Sequence, residues 1–204
     1  MLRVIALSLA VCVASLIFSS ASSAKTAEDA KAYVNNVASQ ALAVIETSAS
    51  KEAKKQKLEK IFAESVDIPW VGKFVMGRYW RQATDDQKKR YIQEYQRFVL
   101  HHYTSRFTEH TSGSFTLTDT KDNGNGEYTV SMSLQDAKNK GEPPVLVDYR
   151  LRKEGGSFKI FDVIVEGVSM ITTQRSEFAS VLAKNDIEHL ISQLSKKSVS
   201  EPMQ

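Results

Sequence analysis

The chain has 204 residues, 42% hydrophobic and 25% charged, with 27 basic against 24 acidic side chains and a formal net charge of +3. That near-balance, with no basic stripe interleaved with aromatics, argues against nucleic acid as a partner. One cysteine excludes an intrachain disulfide, so stability must come from an ordinary core, and the length suffices for one domain.

Residues 1–24 are expected to be a cleaved signal peptide. Arg3 gives a positive start, Val4 to Phe18 is an apolar run, and Ser19 to Ala24 offers small residues for cleavage after Ala24. The run is short for a membrane span, which needs roughly 20 residues. Cys12 lies inside it with Val11 before and Val13 after, which does not fit a lipidation site. Cleavage would leave about 180 residues with 26 basic and 24 acidic side chains. We expect one domain over 25–197 and a frayed tail over 198–204.

Helices come first. Thr26 to Asp29 opens one with a capping-box-like pattern, and Ala30, Val34, Val37, Ala41, Val44 and Ile45 recur at helical spacing. Ser50 is placed to cap a second, with Leu58, Ile61 and Phe62 on its buried face and its lysines on a solvated face. Asp67 and Pro69 begin a third, striped by Trp70, Phe74 and Val75 and ending near Gly77. Thr84 to Gln87 is a capping box for the longest helix, which reaches about His110. Its Tyr91, Tyr95, Phe98, Tyr103 and Phe107 share one face, a pattern that suits plain core as well as a ligand wall.

After Gly113 the period becomes alternating. Phe115–Thr118, Tyr128–Leu134, Val145–Leu151 and Phe158–Val165 read as strands, with turns at Asn123–Gly126 and Glu154–Ser157. Sequential hairpins imply a curved antiparallel four-stranded sheet with Tyr128, Val130, Met132, Val145, Val147, Tyr149 and Leu151 on one face. The last strand is apolar on both faces and is expected to be central. Gly167 then permits a tight turn, Ser169 caps a helix, Asn185 suits its left-handed closing position, and Asp186 caps a last helix. The order is α+β.

Four passages resemble one family, MlaC or toluene-tolerance periplasmic phospholipid-binding proteins. The most specific is Asp162 to Met170, Asp-Val-Ile-Val-Glu-Gly-Val-Ser-Met. Phe74 to Trp80 with Ala83, Thr84 and Gln87, Pro143 to Tyr149 with Arg152 and Lys153, and Asn185 to Ile191 are similar to the family in the same order. Asn185 and Phe158 stand where the family commonly has Gly and often has Trp. The resemblance implies a helix-wrapped sheet of nuclear-transport-factor-2-like (NTF2-like) shape enclosing an apolar cavity for acyl chains. It places Val75, Tyr79, Phe98, Tyr103, Val145, Val147, Val168, Met170 and Ile171 on the cavity wall. It also implies a phospholipid shuttle between the two membranes of a Gram-negative envelope that maintains outer-membrane lipid asymmetry. The implied partners are an inner-membrane ABC transporter complex and an outer-membrane lipoprotein associated with a porin; cofactors and metals are not implied, and lipid is the cargo.

Two other readings remain open: a carrier of a hopanoid or quinone, and a small NTF2-like hydrolase or isomerase. No P-loop, Gly-x-Ser-x-Gly elbow or metal-type histidine spacing supports an enzyme. Asp162 and Glu166 are four apart, and a buried carboxylate pair could do acid–base work. The favoured role for Glu166 is structural, binding free N–H groups of the following helix. Asp148, Arg150 and Arg152 are expected to be solvated strand positions, open to a partner or a phosphate.

Overall fold

A computed structural model describes the backbone of residues 10–109, 113–136 and 141–198, and the side chains of residues 25–104, 113–136 and 141–198. Helix α1 runs Ala10–Glu46, so the expected cleavage point after Ala24 falls within it. The side chains of Cys12 and Phe107, the residue His110 and the tail beyond Ser198 lie outside the described residues. No helix among the described residues is long and apolar enough to cross a membrane.

Local chemistry sets the next boundaries. Ser50 accepts a hydrogen bond from the Ala53 N–H at 3.3 Å and starts α2, Lys51–Ser65. Asp67 does the same for Trp70 at 3.1 Å and starts α3, Ile68–Met76, whose first turn contains Pro69. Gly77, at φ +57°, ends α3 and leads into a 3-10 turn, Gly77–Arg81. The Thr84 capping box is reciprocal: Gln87 N–H donates to Thr84 Oγ1 at 3.2 Å, and Thr84 N–H donates to Gln87 Oε1 at 3.0 Å. It opens α4, Asp85–Glu109.

Five strands form one antiparallel sheet in sequential order: β1 Gly113–Gly124, β2 Glu127–Asp136, β3 Val145–Glu154, β4 Ser157–Val165 and β5 Val168–Ser169. The expected four strands are thus joined by a two-residue fifth. Glu166 and Gly167, at φ +49° and +78°, make a two-residue hairpin that pairs Val165 with Val168. β4 lies between β3 and β5 and is covered on both faces, as its apolar pattern predicts. Among the described residues its outer edge is met only in part, by the two residues of β5 at one end and by a parallel bridge from Val66 to Ile160. The strand is apolar on both faces because Ile160 and the adjacent Phe161 point into opposite cores, and a bulge between Ile160 and Asp162 then shifts the alternation so that Val163 joins Ile160 on the α1 side.

Helices α5, Met170–Leu182, and α6, Ile187–Lys197, close the fold. Asn185 does not take the left-handed conformation expected of it. Its backbone N–H and its side-chain amide instead both donate to Val181 O at 3.0 Å, closing α5 by hydrogen bonds.

Two cores result. One lies among α3, α4, α5 and α6 with Phe161 from the sheet, and includes Val75, Tyr91, Tyr95, Phe178 and Leu190. Packing there is close: a Cβ on Gly72 would stand 2.8 Å from Tyr95 Cδ1. The other lies between α1 (Ala30, Val34) and the sheet face of Tyr128, Val130, Met132, Leu151 and Ile160.

A candidate apolar site at the open end of the sheet

Alternation along each strand and the pairing register together create an apolar row across one face. Tyr128, Leu151 and Ile160 are laterally aligned, as are Val130, Tyr149 and Val163, then Met132, Val147 and Val165. Leu134 with Val145 and Val165 with Val168 extend the row to the end of the sheet. The first ranks belong to the core under α1. Leu134 still packs against that core, but the margin of the row is open: Val145 is 43% exposed and Val168 52%. Leu146, on the other face of β3, is 56% exposed, so this end is apolar on both sides.

The nine expected wall residues fall into two groups. Val75, at 1% exposure, and Ile171 are buried in the helical core, and Tyr79, Phe98 and Tyr103 pack against it. Tyr103 stacks on Phe62 with centroids 6.0 Å apart, and Phe98 stacks on His102 at 5.4 Å. Val145, buried Val147 and Val168 lie on the sheet's apolar row, and half-buried Met170 follows β5 directly. The turn from β5 into α5 links the two groups. A cleft of about 350 Å³ opens on the opposite sheet face, between Asp119, Ser131, Leu146, Asp148, Ile164 and Glu166. Its carboxylates make it unsuited to acyl chains.

The role expected of Glu166, binding the free N–H groups of the following helix, is taken by Asp162. Asp162, 2% exposed, accepts from Ser169 Oγ at 2.8 Å and from Ile171 N–H at 3.3 Å, so it is the carboxylate at the α5 N-terminus. Glu166 lies beyond the strand, in the hairpin, and accepts from Leu146 N–H at 2.5 Å, pinning β3 to the turn. The two carboxylates therefore serve different elements. Ser169 caps α5 as expected, accepting from Thr172 N–H at 3.2 Å.

Arg150 and Arg152 are not simply solvated. The Arg150 guanidinium is 4.7 Å from the Phe161 ring and 3.5 Å from Asp162. Arg152 lies 4.4 Å over Trp70 and 5.0 Å from Phe161, and pairs with Glu127 at 3.5 Å. Phe161, buried in the helical core and set by the bulge on the face of Arg150 and Asp162, supplies the ring for both, and no strand-periodicity argument anticipates it. Asp148 accepts from Ser131 Oγ at 2.5 Å. One sequence signal was available: an aspartate within an otherwise apolar strand must have partners for its buried oxygens.

Electrostatics elsewhere are structural. Burial raises the Tyr91 and Tyr95 hydroxyls well above their ordinary pKa and pushes Tyr149 up to about 12. Tyr91 donates to Gly72 O at 2.9 Å, and Tyr95 to Gln174 Oε1 at 2.5 Å. His101 meets Lys55 Nζ at 3.0 Å and His189 meets Gln193 at 2.9 Å. Among the described residues no three His, Cys, Asp or Glu side chains are grouped to hold a metal ion.

Known proteins share this architecture of a curved sheet wrapped by helices. A phospholipid-binding protein from Ralstonia solanacearum, solved in complex with a phospholipid, superposes with a TM-score of 0.71 at 19% identity, covering 82% of this chain and 96% of that one. The fold therefore defines an α+β class that includes a lipid binder. The family model described as "MlaC protein" matches residues 35–196, and the chain belongs to the MlaC family. The "Intermembrane phospholipid transport system binding protein MlaC" of Haemophilus influenzae is 21% identical over 140 residues, 68% of this chain and 64% of its own length. The "Toluene tolerance protein ttg2D" of Pseudomonas putida is 26% identical over 129 residues, 63% of this chain and 59% of its own.

Proposed function

We propose that this chain is a non-enzymatic phospholipid carrier of the periplasm, shuttling lipid between the outer and inner membranes in support of outer-membrane asymmetry. The observation that carries this reading is the apolar row, which begins under α1 and ends exposed at Val145 and Val168. Relatives named for phospholipid transport and a fold shared with a phospholipid-binding protein support it. Acyl chains follow the row and continue towards the helical core past Met170 and Ile171, while Val75, Tyr79, Phe98 and Tyr103 form the far wall. An inner-membrane ABC transporter complex and an outer-membrane lipoprotein–porin complex are the proposed partners. Lipid is carried as cargo, with no cofactor.

The energetics suit a carrier. Each methylene removed from water is worth roughly 0.8 kcal/mol, so tails strongly prefer an apolar wall to solvent. The competing environment is a bilayer in which tails are already dry. The protein therefore needs only to match the membrane, and a partner can tip the balance either way.

The exposed end of the row permits a test that leaves the cores intact. Val145→Glu with Val168→Glu places two charges where tails would lie, at positions that folding leaves open. Uptake of fluorescent phospholipid from liposomes should fall at least about tenfold, an effect on the order of 1.4 kcal/mol, with an unchanged thermal transition. Uptake equal to wild type would remove this end of the sheet from the lipid path. Recovery of a polycyclic lipid or quinone from the wild type, in place of phospholipid, would favour a different cargo.

A further inference from the structure

The edge formed by α3, the 3-10 turn and α5 carries four exposed cations, Lys73, Arg78, Arg81 and Arg175. Among the described residues none of the four has a carboxylate within 4.0 Å. The other guanidinium groups among the described side chains are answered: Arg90 by Asp86 and Glu188, Arg97 by Glu94, and Arg150 and Arg152 by Glu127.

Two of these cations are also held in place. The Arg175 guanidinium carbon lies 4.7 Å from the Phe74 ring centroid. Its Nε and Nη2 lie against Gly77, each 3.4 Å from where a Cβ would stand. Arg78, the next residue, sits 4.9 Å over the Tyr79 ring, and its Nη2 donates to Tyr79 Oη at 2.9 Å. Stacking fixes the plane of a guanidinium but leaves its in-plane N–H edges open. Among the described residues Arg175 has no hydrogen-bond partner, and Arg78 uses one of its five donors. Tyr79 accepts from Arg78, so its own proton is free to donate outward.

A structural role for Arg175 as counter-charge to the C-terminus of α3 is the simpler alternative. That terminus is already served: Gly77 N–H donates to Phe74 O, and Lys73 lies in the last turn. The arrangement exceeds what the helix requires. Ordered, unanswered guanidinium forks are suited to the tetrahedral oxygens of a phosphate.

We propose that Arg78 and Arg175, with Lys73 of the last turn of α3, form a phosphate-group site at the end of that helix, accepting the phosphodiester of a phospholipid headgroup or a free phosphate. Only the headgroup arm rests on the carrier reading above.

The test uses the whole chain and an Arg78→Gln, Arg175→Gln double variant. Uptake is measured from vesicles of phosphatidylglycerol and from vesicles doped with dioleoylglycerol, which has matching tails and no phosphate. Binding of inorganic phosphate is followed separately by phosphorus NMR line broadening. At least tenfold slower phospholipid uptake with unchanged diacylglycerol uptake supports the site with a headgroup as its ligand. Unchanged lipid uptake, with saturable phosphate binding present in the wild type and lost in the variant, supports it with free phosphate as the ligand. No change in either assay, or an equal loss for both lipids with phosphate binding unaffected, overturns it. A wild type that takes up neither lipid defeats the carrier reading, and the phosphate titration then decides the site alone. An Arg78→Lys, Arg175→Lys variant should recover part of the effect, since it restores charge without the fork. Lys121→Gln, exposed on β1, should behave as wild type in every arm, and circular dichroism melts confirm that each variant folds.

Discussion

Asp162 shows how one side chain can join two layers. Its buried carboxylate receives a hydroxyl, a helix N–H and a guanidinium, from Ser169, Ile171 and Arg150. It therefore ties β4 to the first turn of α5, where the sheet's apolar row meets the helical core. Asp162→Ala removes every one of those acceptors, and hydrogen bonds to a charged group contribute about 1.5–3 kcal/mol each. Urea denaturation should show a loss of about 3 kcal/mol for Asp162→Ala and about 1 kcal/mol for the cap variant Ser169→Ala. If Asp162→Ala were no more harmful than Ser169→Ala, the carboxylate would not be the joint described.

At the scale of elements, α4 and α6 are clamped by Arg90 and Glu188. Arg90 donates to both Glu188 oxygens, at 2.8 and 2.5 Å, and Gln87 adds a bond to Glu188 at 3.1 Å. The Arg90 hydrogen bonds are the main reason the Glu188 pKa falls from 4.5 to about 2. A depressed folded-state pKa gives stability that is present above the unfolded value and lost as pH drops through the folded one. The clamp should therefore hold above about pH 4.5 and fail towards pH 2. Because the pair is exposed, the effect is modest and salt-sensitive. Glu188→Gln should lose less stability than wild type between those pH values; parallel acid-denaturation curves would contradict the assignment.

Elements governed by neighbouring residues could be read from the sequence. Ser50, Asp67, Thr84 with Gln87, Ser169 and Asp186 all act as the caps their types and spacing predicted. Period and turn residues likewise predict β2, β3 and β4, whereas β1 runs Gly113–Gly124, well beyond the expected Phe115–Thr118. Features that depend on distant partners are not predicted in this way. Two residues of β5 carry too short a pattern to register, and how much of β4's outer edge is paired depends on them. The stacking of Arg150 and Arg152 depends on a bulge around Phe161, which reverses the alternation on which face assignments rest. For the site, residue types were legible but their grouping was not. Val75 and Val147 are both buried valines, yet one belongs to the helical core and the other to the sheet's row.

The whole molecule carries one continuous apolar row on the α1 side of its sheet, with the helical core meeting the other face at Phe161. Under α1 the row is covered, its far end is open, and the α5 turn held by Asp162 stands between that end and the helical core. In the function proposed above, a ligand with long apolar tails begins at this exposed margin and leaves both cores folded. The layout also explains why the Glu-Gly-Val-Ser-Met segment lies at the hinge of the two layers while its polar residues perform structural work. The central claim, that this molecule carries phospholipid, is tested most directly by native mass spectrometry of the purified chain after incubation with phospholipid vesicles. The account predicts a complex whose added mass matches intact phospholipid and which yields that lipid on extraction. A spectrum showing only lipid-free protein, with no lipid recovered, would contradict it.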